Sequence, residues 1–129
     1  MRSERPDIEE RTVVYALRTG DLARKLESDG FGRILGRQLL RAGTSVGANV
    51  HEAQGAQSRA DFISKMSIAF KEARETAYWL RVITRGGFVS DELVEPFRAE
   101  TEEIVRILAS ILLTAKGIRN HRAQSGSSP

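Results

Sequence analysis

Residues Arg41 to Leu80 read RAGTSVGANVHEAQGAQSRADFISKMSIAFKEARETAYWL. The stretch holds the end of one helix, a reversal at Gln54-Gly55-Ala56-Gln57, and the start of the next helix. Gly55 offers a left-handed C-cap. Ser58-Arg59-Ala60-Asp61 has the form of a capping box, in which Ser58 accepts from the Asp61 amide and Asp61 reaches back. Two helices joined by so short a link lie antiparallel.

The helix before the reversal carries Gly36, Gly43, Gly47 and Ala48 near one face, beside an apolar stripe of Leu35, Leu39, Ala42, Val46 and Val50. Each glycine inside a helix costs up to about 1 kcal/mol relative to alanine. Several in one helix point to a neighbouring backbone that comes close, or to a ligand or nucleic acid that touches the main chain. Arg33, Arg37 and Arg41 recur every four residues on the same helix and form a basic stripe. Like charges at that spacing repel, so the stripe is expected to meet water, acidic side chains of a neighbouring subunit, or phosphate.

Three polar residues fall on or near apolar faces. Asn49 continues the register of Leu39, Ala42 and Val46, Glu52 follows one turn on, and Glu75 sits among Ile68 and Trp79. A buried charge needs a partner or a proton, and Arg41, Lys71 and Arg74 are within reach. Asn49, Glu52 and Glu75 are therefore expected to form a polar network that fixes helix register or subunit contacts. The alternative is a carboxylate site for a metal or for acid–base work.

The rest of the chain supplies two more helices. Asp7 to Glu27 has Ile8, Thr12, Tyr15, Leu22 and Leu26 at helical spacing, broadened by Val14 and Leu17, and stops at Ser28-Asp29-Gly30. The second helix covers about Gly32 to Gln54 and the third about Arg59 to Thr84. On the third, Phe62, Met66, Ala69, Ala73, Thr76, Leu80 and Ile83 form one seam and Ile63, Phe70 and Ala77 another. Two seams imply contact on two sides. Tyr78 and Trp79 suit a core or interface, or a stacked base. The fourth helix starts after Ser90 as N-cap, meets Pro96, and ends at Gly117. No alternation typical of strands occurs.

At 129 residues the chain fits one domain. The domain is expected over residues 7–118, between a short N-terminal tail, 1–6, and a polar C-terminal tail, 119–129. With no cysteine, disulfides and thiolate chemistry are excluded. No apolar run reaches the length of a membrane span, and the charged MRSERPDIEER start is unlike a signal peptide, so a cytoplasmic protein is expected. The net charge is only +3, but it is unevenly spread. Residues 31–49 contain arginines and no acid, as does the segment after Leu112 with Lys116, Arg119 and Arg122. Asp91, Glu92, Glu95, Glu100, Glu102 and Glu103 crowd the fourth helix. No Glu-x-x-His pair, HExxH, phosphate-cradling glycine loop or nucleophile elbow is present, so neither enzyme activity nor a cofactor or metal is expected.

Arg41-Ala42-Gly43-Thr44-Ser45-Val46-Gly47-Ala48-Asn49-Val50-His51-Glu52-Ala53, followed by the Ser58 to Leu80 segment, resembles the signature of the "four helix bundle protein" family. That family is encoded within intervening sequences of bacterial 23S ribosomal RNA genes. The resemblance spans roughly residues 8–116. It implies an all-α, antiparallel up-and-down four-helix bundle. Through the similar accessory protein of diversity-generating retroelements, it also implies a homo-oligomeric, pentameric ring. That accessory protein binds a reverse transcriptase and nucleic acid. The functional expectation is therefore a non-enzymatic homo-oligomer that binds RNA or DNA, or an enzyme acting on them, through Arg33, Arg37, Arg41, Lys116, Arg119 and Arg122. The alternative is a pure protein scaffold whose arginines grip the acidic fourth helix of a neighbour.

Overall fold

Every helix in the structure starts with the same chemistry: a short side chain that takes up an orphan amide. Asp7, Asp29, Ser58 and Ser90 are the N-caps of α1 (Ile8–Arg24), α2 (Gly30–Gln54), α3 (Arg59–Arg85) and α4 (Asp91–Lys116). The computed structural model describes residues 7–117, and all four helices lie within them with no strand. Consecutive helices pack on one another, α1 on α2, α2 on α3 and α3 on α4, in up-and-down order. The α1–α4 side, which closes the bundle, is the sparsest of the four.

The first turn differs from expectation. Gly30 does not stop α1; it opens α2, because Asp29 accepts from the Gly32 amide at 2.6 Å. α1 ends earlier, at Arg24, and its chain tightens through amide bonds from Lys25 to Leu22 and from Leu26 to Ala23. Leu26 still reaches the core. At the second turn Ser58 accepts from Asp61 at 3.0 Å as expected. Asp61 instead takes the Gln57 amide, at 3.3 Å. Gly55 has φ −99° and caps α2 without left-handed backbone, whereas Gly117 does adopt φ +80°. α4 runs unbroken through Pro96. The carbonyl this frees belongs to exposed Glu92, where water can satisfy it.

The core takes Tyr15 and Leu22 from α1, Leu26 from the turn after it, Leu39, Val46 and Val50 from α2, Met66, Leu80 and Ile83 from α3, and Ile104 and Leu108 from α4. No buried side-chain nitrogen or oxygen among the described residues lacks a partner. Val14 and Leu17, expected to widen the α1 stripe, face outward instead; Leu17 is 68% exposed. At 100° per residue Leu17 stands about 160° from Tyr15, so the core cannot hold both. α1 has 17 residues against 26 in α4. A groove of about 820 Å³ opens between α3 and α4 over Phe62, Ile107 and Ile111.

Glycine sets the α1–α2 contact. A Cβ on Gly43 would lie 2.6 Å from Thr19 Cγ2, and one on Gly47 would lie 3.1 Å from Thr12 Cβ. Both threonines are fully buried. The neighbouring-backbone reading of these glycines is the one the structure bears out. A Cβ on Gly20, by contrast, meets nothing nearer than Leu40 at 3.9 Å. Gly43→Ala is expected to destabilise the protein by about 1–3 kcal/mol through overpacking, while Gly20→Ala should gain up to about 1 kcal/mol of helix propensity. Urea titration followed by circular dichroism checks the opposite signs.

Candidate nucleic-acid interface

The α2 arginines sit where the helical period puts them, on the outer face. Arg33, Arg37 and Arg41 are all exposed. They are not equivalent. Arg41 reaches across to α3, pairing with Glu72 at 3.4 Å and closely with Glu75. Arg33 donates to the Glu27 carbonyl at 3.4 Å. Arg37 meets no carboxylate among the described residues.

Glu75 is the centre of this local arrangement, since the Trp79 indole Nε1 also donates to it at 3.0 Å. Trp79 is thereby fixed half-buried, while its neighbour Tyr78 is 57% exposed, with the two rings edge to face at 5.0 Å. Asn49 and Glu52 do not join Glu75. Asn49 is half-buried and donates to the Ser45 carbonyl of its own helix at 2.9 Å. Glu52 is exposed. Each three-residue step turns the helix face by about 60°, so the run from Val46 through Asn49 to Glu52 walks off the apolar stripe instead of along it. The expected three-residue network therefore reduces to Glu75 with Arg41 and Trp79.

The contact of Arg41 with Glu72 and Glu75 marks the α2–α3 register. Antiparallel pairing then places Arg37 about level with Tyr78 and Arg33 about level with Val82. A second row of cations comes into view there. Lys71, Arg74, Arg81 and Arg85 follow a three–four–three–four spacing down the outer face of α3, with Tyr78 between them. All five side chains are exposed, and the four cations meet no carboxylate among the described residues. The spacing of this row is legible in the sequence, alongside the apolar seam of the same helix.

Lys116 does not join this surface. It lies at the end of α4, near the start of α3, where Arg59 Nε donates to the Ala115 carbonyl at 2.6 Å. Along the bundle axis that is roughly 35 Å from Arg33. Arg119 and Arg122 fall outside the described residues.

The acids of α4 are largely engaged within the chain itself. Arg98 holds both Glu95 and Glu102, Arg106 pairs with Glu103 at 3.0 Å, and Arg11 of α1 forks onto Glu100 at 2.7 and 2.9 Å. The hydrogen bond from Arg98 holds the Glu95 carboxyl below its ordinary range. The bond to Glu100 raises the Arg11 guanidinium further. Burial raises the Tyr15 phenol well above its ordinary value. That ring stacks on Phe97 at 4.7 Å, and its hydroxyl lies 2.5 Å from Thr101. Among the described residues no three His, Asp or Glu side chains gather as metal ligands, and no helix is long and apolar enough to cross a membrane.

Over residues 7–110 the chain matches the family described as 23S rRNA-intervening sequence protein. The chain belongs to that family. A solved structure supports the same assignment: a protein with unknown function from the S23 ribosomal protein family of Bacteroides thetaiotaomicron VPI-5482. It is 40% identical, with a TM-score of 0.78, over 82% of this chain and 98% of that one. No curated protein matches the chain.

One histidine pairs with a carboxylate on a neighbouring helix. His51 Nδ1 lies 2.6 Å from Glu9 Oε2, joining α2 to α1. The hydrogen bond to Glu9 comes first among the causes that raise the His51 pKa, with the charges of Glu9 and Glu52 adding to it. A raised folded-state pKa means the pair stabilises the fold below the ordinary value of about 6.5, and that this contribution fades as pH rises through the folded pKa. NMR titration should place His51 above about 6.5, and Glu9→Gln should bring it back toward that value.

Proposed function

We propose that the protein is a non-enzymatic, homo-oligomeric helical bundle that binds nucleic acid through the outer face of α2 and α3. The observation that carries this reading is an imbalance of partners. The α4 carboxylates that might have served a neighbour's arginines are mostly taken inside the protomer. Arg37, Lys71, Arg74, Arg81 and Arg85 are left exposed without acidic partners among the described residues. Cations held in rows and not neutralised favour phosphate, which they engage with little sequence readout. Repetition of the same surface around an oligomer multiplies a weak contact through avidity. Family membership is compatible with such a role, and an enzyme that itself handles nucleic acid would meet the same surface.

Self-association rests on a separate feature. Val13, Val14 and Leu17 stand 46–68% exposed on the outside of α1, beside Leu40 of α2. An apolar strip of this kind favours a protein partner over water, and a second copy is the simplest one. The scaffold reading draws its support from the same strip.

Two measurements test these statements. Fluorescence anisotropy with a labelled RNA should show affinity falling steeply with salt. Arg33→Gln with Arg37→Gln should reduce the log–log slope by about 1.4, at roughly 0.7 per lost phosphate contact. Binding indifferent to salt, or absent at low salt, removes the nucleic-acid reading. Light scattering should return a mass above the 14.3 kDa of one chain, and Leu17→Glu should lower it with helicity unchanged. A monomeric parent protein would end the self-association part.

A further inference from the structure

Tyr78 is the one large aromatic side chain in the α3 cation row, and one side of it is flanked by α4. It lines a groove of about 460 Å³ between α3 and α4. Ala77 and Val105 give the groove an apolar floor, while Arg74, Arg81 and Arg106 ring it. That volume falls within the range of pockets that hold small ligands, about 300 Å³ upward. Of its cations, Arg106 is paired with Glu103, but Arg74 and Arg81 are not paired among the described residues. Glu102, the acid at the rim, is already held by Arg98. The groove thus offers a ring face, an apolar floor and two available guanidiniums one helical turn to either side of the ring.

We infer that this groove takes a base of a single-stranded nucleic acid, stacked on the Tyr78 ring, with Arg74 and Arg81 on the flanking phosphates. The inference rests on the nucleic-acid reading above and narrows it to a strand type. Stacking on a protein ring requires a base that is not already stacked within a duplex, and single strands supply such bases. An aromatic between cations on a basic track is the arrangement such binding uses. A duplex would meet the same arginines through its phosphates and leave Tyr78 idle. The geometry also separates two adjacent aromatics that the sequence could not rank. Trp79 is committed to Glu75, so Tyr78 is the ring left for a ligand.

The test compares one labelled 20-nucleotide RNA, single-stranded and annealed to its complement, by anisotropy on the full chain and three variants. Tyr78→Ala is expected to weaken single-strand binding about fivefold or more, the lower end of a stacking contribution, and to leave duplex binding unchanged. Tyr78→Phe should retain the parent affinity. Arg74→Gln with Arg81→Gln should reduce the salt slope for the single strand, which Tyr78→Ala should not. Trp79, the only tryptophan, gives a local signal: its emission should change saturably with single strand and not with duplex. Equal losses on both strands, or none on either, overturn the inference while the wider reading stands. A change in oligomer mass with RNA binding intact shows a protein contact in the groove and also overturns it. Absence of any RNA binding at low salt takes the wider reading down with it.

Discussion

The bundle depends on α2 approaching α1 with side chains from only one of the two helices in between. Gly43 faces buried Thr19 at a distance a methyl group could not share, and Gly47 faces buried Thr12 at one where a methyl would be crowded. This costs helix propensity, and tight packing along the first hairpin offsets it. With its α1 side given to glycine and its core side to Leu35, Leu39, Val46 and Val50, α2 has its remaining outer side free for arginine. One helix thus serves three surroundings through three kinds of residue, each recurring with the helical period.

Charge is distributed with similar economy. On α4, opposite charges three and four residues apart close into local pairs around Arg98 and Arg106, and Arg11 ties Glu100 across to α1. Exposed pairs of this sort contribute little to stability. Their larger effect is to quiet the field of that helix. On α2 and α3 the cations are spaced from one another, not from acids, with Arg41 the exception. A modest net charge of +3 therefore hides an acidic flank on α4 and a positive flank on α2 and α3. Composition alone would suggest neither.

Much of the fold was legible in the sequence because local rules decide it. Ser58, Ser90 and Gly117 act as the caps their identities suggest, and the glycine spacing announced a close neighbour. Gly30 was misread because Ser28-Asp29-Gly30 serves equally as a stop or as a cap-and-start, and only the Asp29 to Gly32 bond decides between them. Asn49 and Glu52 were placed too deep, since a three-residue step resembles register over one turn and loses it over two. The candidate surface was half legible. The Arg33, Arg37, Arg41 stripe follows from spacing, but that Arg41 is spent on Glu72 and Glu75, and that Lys116 lies at the far end, depend on how neighbouring helices align. No single helix contains that information.

The thin seam between α1 and α4 has a consequence for how the chain reaches its native state. Almost every helix contact is made by elements adjacent along the chain, so each new helix can dock on the one just completed, a topology that favours rapid assembly. The closing contacts are the exception: Tyr15 meets Thr101 across 86 positions and Arg11 meets Glu100 across 89. During synthesis these must wait until α4 has emerged. Until then the first three helices stand as an open stack, with the face of the Tyr15 ring that Phe97 covers in the native state still bare.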